Sequence, residues 1–234
     1  MKKIFLSLSL VCAVALSTTA QVKRSANPGG LIIKGGVNLA NVTNSSNGGV
    51  DDANTLTSFH AGVVADLALS EGLSLQPGLL VTGKGTKSSV GSSNDRNYWQ
   101  ATSNPIYLEL PVNVVGKIPL GNKSLFVGAG PYAAMGIAGK NKTEGKILGV
   151  GFSRDSDISF SDDDPTTSYE ENAGFGKLKR FDYGLNVLGG LDLGKVIIGA
   201  NYGYGFAKLN SGASDRANDR NKNRVLSFSL GLKL

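Results

Sequence analysis

The chain closes with the stretch "NRVLSFSLGLKL" (223–234), in which every second residue is apolar up to the last position: Leu226, Phe228, Leu230, Leu232 and Leu234. Serine, glycine and lysine residues stand between them. A period of two is typical of a β-strand with one apolar face. Chain ends usually fray, so alternation that continues to the terminal residue predicts a strand held by neighbours on both sides. A closed β-barrel provides such neighbours, because it has no free edge.

Seven earlier stretches alternate in the same way, each with an apolar face free of charged residues: 31–40, 58–69, 73–83, 105–115, 124–138, 180–193 and 196–207. The connections alternate in length as well. Short turns are expected at 70–72, 116–123 and 194–195, and long polar loops at 41–57, 84–104, 139–178 and 210–222. An even number of strands with short turns at one end and long loops at the other predicts an all-β fold, an eight-stranded antiparallel up-and-down transmembrane β-barrel.

Three prolines, Pro77, Pro111 and Pro131, fall inside these predicted strands. Each removes a donor from the hydrogen-bond ladder of a fold that has no edge strand to accommodate it. We therefore expect irregular strand pairing, such as bulges, beside them.

The alternative fold is a soluble β-barrel or sandwich, whose second face would be an outer surface rich in charge. In this chain the second face is mostly small or amide residues, and the ionisable residues through its middle are few: Lys34, Asp66, Glu109, Asp182, Asp192 and Lys233. That composition favours a narrow interior filled by side chains. Buried charges must pair, so we expect Lys34 to pair with Glu109 or Asp66, and Lys233 with Asp66 or Asp192, as a structural polar network of the lumen.

The remaining space of the lumen should be filled by bulky side chains that face inward, opposite the inward glycines Gly203 and Gly205: Leu80, Val115, Phe126, Tyr132 and Leu188. A lumen filled in this way is a plug, and an open water channel along the axis would contradict it.

The N-terminus has the pattern of a secretory signal peptide, with two lysines, an apolar stretch over 4–16 and small residues up to Ala20. The apolar stretch is shorter than the roughly 20 residues that a spanning helix needs. We predict a signal peptide at 1–20, a short periplasmic segment at 21–30 and the barrel domain at 31–234. Cys12 is the only cysteine, so the mature chain would contain no disulfide and no cysteine-built metal site.

These features predict an outer-membrane protein of a Gram-negative bacterium, with both termini periplasmic and the long loops extracellular. The formal net charge of the whole sequence is +6, and the basic residues are scattered. A nucleic-acid surface would need them clustered, so no nucleic-acid partner is expected.

Two groups of residues are candidate sites of chemistry. His60 is the sole histidine; as a catalytic base it would need a serine or carboxylate partner, and the sequence fixes none, Asp182 and Asp95 being guesses. We expect His60 to be a polar lumen or rim residue. The loop 139–178 holds carboxylates that could bind a hard cation weakly: Asp155, Asp157, Asp162, Asp163 and Asp164. Their spacing does not match an EF-hand, so a solvated acidic loop is favoured, and neither a metal site nor a cofactor is predicted.

Several segments resemble the small outer-membrane β-barrel family of Bacteroidetes, often labelled porin-family or PorT-like proteins with an outer membrane protein β-barrel domain: "YLELPVNVV" (107–115), "FVGAGPYAA" (126–134), "FDYGLNVLGGLDL" (181–193), "GANYGYGFAKL" (199–209) and the closing stretch. The resemblance covers about residues 31–234. It implies an eight-stranded outer-membrane barrel, and for PorT-like members an association with protein secretion. Family members often have Arg before the tyrosine of the seventh strand; this chain has Asn201 before Tyr202.

We therefore expect an outer-membrane protein without catalysis, with an envelope-structural or secretion-accessory role exerted through its outer loops or periplasmic rim. A narrow pore for small solutes is the first alternative, and an outer-rim lipid-modifying enzyme dependent on His60 is the second. The expected partners are outer-membrane lipid, the outer-membrane assembly machinery during insertion, and envelope or secretion proteins.

Overall fold

A computed structural model describes residues 30–42, 55–92, 94–160, 177–207 and 222–234. They form twelve strands: β1 (Gly30–Val42), β2 (Leu56–Ser70), β3 (Leu73–Gly83), β4 (Thr86–Val90), β5 (Tyr98–Leu120), β6 (Lys123–Ile147), β7 (Val150–Asp157), β8 (Ser159–Phe160), β9 (Lys177–Leu178), β10 (Phe181–Asp192), β11 (Val196–Gly205) and β12 (Asn223–Lys233). Within these ranges there is no helix long and apolar enough to cross a membrane. The predicted signal peptide and most of the predicted N-terminal segment lie outside the described residues.

Eight of the strands close into a ring in the order β1-β2-β3-β5-β6-β10-β11-β12, and β12 returns to β1. Every pairing in this ring is antiparallel. The last strand is held on both sides, since Leu232 lies opposite Ile33 of β1 and Val196 of β11. Leu234 also donates its backbone N–H to the carbonyl oxygen of Leu31 at 2.8 Å. The predicted eight-stranded barrel is confirmed, and ring closure explains the alternation at the chain end.

The apolar side chains of the ring point outward and the polar ones point inward. Ile33, Val187 and Phe228 are 49%, 57% and 47% exposed. Inward neighbours such as Asn38, Asp182 and Asn186 are almost fully buried. A wall that exposes large apolar residues along all eight strands is stable only where hydrocarbon, and not water, meets its outer face.

The two ends of the ring differ. At the end we call the short-turn end, β2–β3 and β5–β6 are joined by turns at residues 71–72 and 121–122, and β10–β11 by residues 193–195. At the opposite, long-strand end, β5 and β6 run on past the ring as a hairpin. β4 pairs with the far part of β5, and β7 with the far part of β6. The result is a four-stranded sheet, β4-β5-β6-β7, which we call the projecting sheet.

The projecting sheet corrects two sequence expectations, because parts of the predicted loops 84–104 and 139–178 are strands. Beyond the ring the apolar alternation of β5 and β6 is lost from the sequence, although their hydrogen-bond ladder continues. The other long loops, 41–57 and 210–222, lie mainly outside the described residues.

The three prolines sit beside gaps in strand pairing. The β2–β3 register passes from Val64↔Gly78 to Leu67↔Leu75, skipping the positions of Gln76 and Pro77. The β3–β5 register skips two positions after Pro77, and Pro111 lies in this gap. The β5–β6 register skips two positions after Pro111, and Pro131 lies in this gap. Local loss of the ladder removes the need for the N–H group that proline lacks.

Candidate functional site

A cluster around Lys84, which follows β3, lies inside the lumen toward the long-strand end. Its ammonium lies 2.7 Å from a carboxylate oxygen of Glu109 (β5) and 2.9 Å from one of Asp182 (β10). The same ammonium stands 3.9 Å above the ring of Tyr132, a favourable cation–π position. Asp182 also accepts hydrogen bonds from the Tyr132 hydroxyl at 3.2 Å and the Asn223 amide at 3.0 Å. The cluster ties together strands on opposite sides of the ring.

Two further ion pairs lie toward the short-turn end. Lys117 contacts Asp66 at 2.5 Å, and Gln76 donates to the other oxygen of that carboxylate at 3.1 Å. Lys233 lies 2.6 Å from Asp192, one of the two partners expected for it. Each pair is largely buried, and each joins strands that are distant in sequence.

The expected partners of Lys34 are wrong. Glu109 pairs with Lys84 and Asp66 pairs with Lys117, and within the described ranges no carboxylate lies within 4.0 Å of the Lys34 ammonium. Lys34 instead lines the lumen cavities together with Glu109. The two carboxylates pair instead with Lys84 and Lys117, which belong to the predicted connections 84–104 and 116–123.

Lys84 and Lys117 are the functional residues that sequence reasoning missed. The sequence does contain a pattern that points to both lysines. Every second residue of β3 faces the lumen, and this series runs from Leu80 through Thr82 to Lys84. In β5 the same series runs from Val115 to Lys117. Extending the period of two past the last apolar residue of the strand would have found them.

The lumen is packed rather than open. Val115 and Tyr107 are fully buried, and Leu80 and Tyr132 are nearly so; Phe126 and Leu188 line the larger cavity. The two cavities measure about 70 Å³ and about 30 Å³.

His60 lies inside the lumen, hydrogen-bonded at both ring nitrogens. Nε2 is 3.0 Å from the Ser229 hydroxyl, and Nδ1 is 2.7 Å from the Asn38 side-chain oxygen. The Asn38 amide nitrogen donates to the carbonyls of Phe59 and Gly83, which fixes its oxygen toward His60. An amide oxygen only accepts, so Nδ1 of His60 carries the proton and Nε2 accepts from Ser229.

This Ser229–His60–Asn38 chain has the connectivity of a nucleophile, a base and an orienting group. Gly36 makes it possible, because a Cβ there would lie 2.8 Å from the His60 ring. The two partners guessed from the sequence are occupied elsewhere: Asp182 binds Lys84, and Asp95 accepts from the backbone N–H of Ser92 at 2.7 Å. His60 is 4% exposed and lines the smaller lumen cavity, of about 30 Å³.

The acidic residues proposed as a weak cation loop are only partly described. Asp155 and Asp157 lie on β7, directly opposite Lys142 and Lys140 of β6, so each carboxylate has a lysine as its cross-strand neighbour. Asp162, Asp163 and Asp164 lie outside the described residues. In the part of the chain that the structure covers, no group of three histidine, cysteine or acidic residues is arranged to hold a metal.

The projecting sheet has a charged face and an apolar face near its end. On the charged face Lys142 and Glu144 form an exposed pair at 2.7 Å. The hydrogen bond and the opposite charge raise the pKa of Lys142, and the hydrogen bond from Lys142 lowers the pKa of Glu144. On the other face Val90, Trp99, Gly145 and Phe152 form one cross-strand row.

The β6–β7 turn at the tip of this sheet is strained. Leu148 has a φ of 52° and Gly149 a φ of 85°, and a two-residue hairpin turn with both angles positive favours Asn-Gly. Leucine in that conformation costs about 1–2 kcal/mol. Within the described ranges it is the only residue other than glycine with a positive φ.

Comparisons with known proteins found similar solved structures and a matching family model. The structure of Ail, the attachment invasion locus protein of Yersinia pestis, is similar with 15% identity over 89% of this chain and 100% of that chain, at a TM-score of 0.40. Neisserial surface protein A (NspA) is similar with 13% identity over 89% of this chain and 100% of that chain, also at 0.40. Among curated proteins none matches significantly. The model of the family described as "Outer membrane protein beta-barrel domain" matches residues 20–211, most of the sequence, and the chain belongs to that family.

Proposed function

We propose that this protein is a non-catalytic outer-membrane anchor that holds the projecting sheet outside the cell as an interaction surface, in an envelope or secretion-accessory role. The observation that carries the proposal is the length of β5 and β6, which have 23 and 25 residues. A membrane-spanning strand needs about 9–11 residues. More than half of each strand is therefore available outside the hydrocarbon layer.

The asymmetry of the two ends supports the orientation. Turns at 71–72 and 121–122 offer little surface for a partner, whereas the long-strand end carries the projecting sheet. Barrels of this kind have short periplasmic turns and longer extracellular loops. Both termini then face the periplasm, where the signal peptide would have delivered the chain to the assembly machinery. The partners of the folded protein are outer-membrane lipid around the wall and envelope or secretion proteins at the long-strand end.

The interior supports a structural role for the buried charges. A narrow pore is the main alternative, and the Lys84 cluster stands across its path. Catalysis at His60 is disfavoured because its hydrogen-bonded chain is enclosed. The ion pairs of the lumen hold the barrel on which the projecting sheet stands, and Lys34 lines the cavities beside them.

Cysteine labelling in intact cells tests the orientation. The mature chain would contain no cysteine, so Ser153→Cys on β7 and Asn122→Cys in the β5–β6 turn each introduce a single thiol. A maleimide too large to cross the outer membrane should label Ser153→Cys in intact cells and Asn122→Cys only after lysis. The reverse pattern would overturn the proposal. Photo-crosslinking from position 153 then identifies what the sheet contacts.

A further inference from the structure

Lys34 is a cation of the lumen without a counter-ion among the described residues. It lies on β1 opposite two glycines, Gly62 of β2 and Gly231 of β12, and it is partly buried. Within the described ranges its ammonium forms no hydrogen bond and no ion pair. An ionised group inside a membrane-spanning wall is costly unless it is paired. The partner of Lys34 is therefore the open question of this interior.

The carboxylates that line the larger cavity beside Lys34 are held by other lysines: Asp66 by Lys117, Glu109 by Lys84 and Asp192 by Lys233. Lys84 also holds Asp182, so one lysine serves two carboxylates while Lys34 contacts none. The charge of Glu109 still acts on Lys34 at longer range, but it satisfies none of the three N–H groups of the ammonium.

The cavity beside Lys34 has room for a small ion and contains a second unpartnered group. Its volume is about 70 Å³, several times the roughly 10–15 Å³ that one water molecule needs, and chloride is only slightly larger than water. Asn113 of β5 lines the same cavity and is 8% exposed. Its side-chain oxygen is buried without a hydrogen-bond partner among the described residues. Rotation of this free amide lets its N–H groups face an acceptor in the cavity.

We propose that the lumen binds a small monovalent anion such as chloride between the Lys34 ammonium and the Asn113 amide. Such an anion only accepts hydrogen bonds, which suits two donor groups that lack acceptors. A divalent anion is disfavoured because Asp66 and Glu109 line the same cavity, and a large anion does not fit its volume. A counter-ion site of this kind goes beyond the proposed function and does not depend on which end of the barrel faces outward.

The test uses the full mature chain, folded in zwitterionic detergent and dialysed into sodium gluconate, whose anion is too large for the cavity. Chloride then replaces gluconate at constant ionic strength, and binding is followed by the line width of the chlorine NMR signal. The wild-type protein should broaden this signal saturably. Its urea midpoint should also be higher in chloride than in gluconate, because the anion binds only the folded barrel.

Two substitutions test the proposed ligands. Lys34→Met should weaken chloride binding by about tenfold to a hundredfold, the worth of a hydrogen bond to a charged group. Asn113→Ala should weaken it by about twofold to tenfold, the worth of a neutral hydrogen bond. In gluconate Lys34→Met should resist urea at least as well as the wild type, because it removes a charge that has no partner in the described chain. This result separates lost binding from lost folding.

The matched control is Lys142→Met, which removes an exposed lysine that pairs with Glu144 and should leave chloride binding unchanged. The proposal is overturned if chloride neither broadens the signal saturably nor raises the urea midpoint of the wild type. That outcome is expected if water alone bridges Lys34 to Glu109. Binding by Lys34→Met that is as tight as binding by Lys142→Met would overturn it as well.

Discussion

Replacing Lys84 by methionine should destabilise the barrel strongly, because two buried carboxylates lose their shared cation. Asp182 would keep two donors, Tyr132 at 3.2 Å and Asn223 at 3.0 Å. Glu109 contacts Lys84 at 2.7 Å, and within the described residues it forms no second ion pair. Breaking a buried pair from one side costs about 3–5 kcal/mol, and we expect most of this loss to arise at Glu109.

A second substitution tests that assignment. Because a neutral amide needs no cation, Lys84→Met/Glu109→Gln should recover at least about 2 kcal/mol of the loss, whereas Lys84→Met/Asp182→Asn should recover less. The assay is urea unfolding in lipid vesicles, followed by far-UV circular dichroism. Lys142→Met is the matched control, since it removes an ion pair of the same 2.7 Å length that is exposed, and it should cause no measurable change. If Lys84→Met were no more harmful than this control, the lumen cluster would not stabilise the barrel.

Three further outcomes follow from the same structure. Asn38→Ala should lower the free energy of unfolding in urea by about 1–3 kcal/mol. Asn38→Asp should lower it further, because a carboxylate would face the carbonyl oxygens of Phe59 and Gly83. Equal losses in the two variants would contradict the orientation of the Asn38 amide. The pKa of the Glu144 carboxyl group should lie below its ordinary value, so any stability from its pair with Lys142 is present at neutral pH and is lost as the pH falls through the lowered pKa. Carboxyl NMR should show that the titration midpoint of Glu144 rises in Lys142→Gln. An unchanged midpoint would argue against the pair. Single-channel recordings should give no steady conductance, and a stable ohmic current would favour the pore.

The eight ring strands were predictable because each carries the period of two that a wall between lipid and a filled interior imposes. The closing stretch was the clearest case: Leu226, Phe228 and Leu230 face outward while Ser227 and Ser229 face the lumen. The inward position of Asp182 and Asp192 followed from the same alternation.

The projecting sheet and the partners of the buried charges were harder to predict, for a physical reason. Hydrophobic periodicity reports contact with hydrocarbon, and β4, β7 and the far halves of β5 and β6 have none. Lys84 and Lys117 lie where that contact ends, so they read as connections. Pairing across the lumen also depends on the shear of the barrel, which the pattern of a single strand does not reveal. The contacts of Ser229 and Asn38 with His60 depend on the shear in the same way, so they could not be predicted either.

The central claim is that the apolar face of the wall touches lipid. Trp99 is the only tryptophan, so Val187→Trp in a Trp99→Phe background places one fluorophore on the outward face of β10, where Val187 is 57% exposed. In vesicles of brominated lipid we expect strong quenching of this tryptophan and little quenching by aqueous acrylamide. Quenching by acrylamide with no effect of brominated lipid would contradict the account.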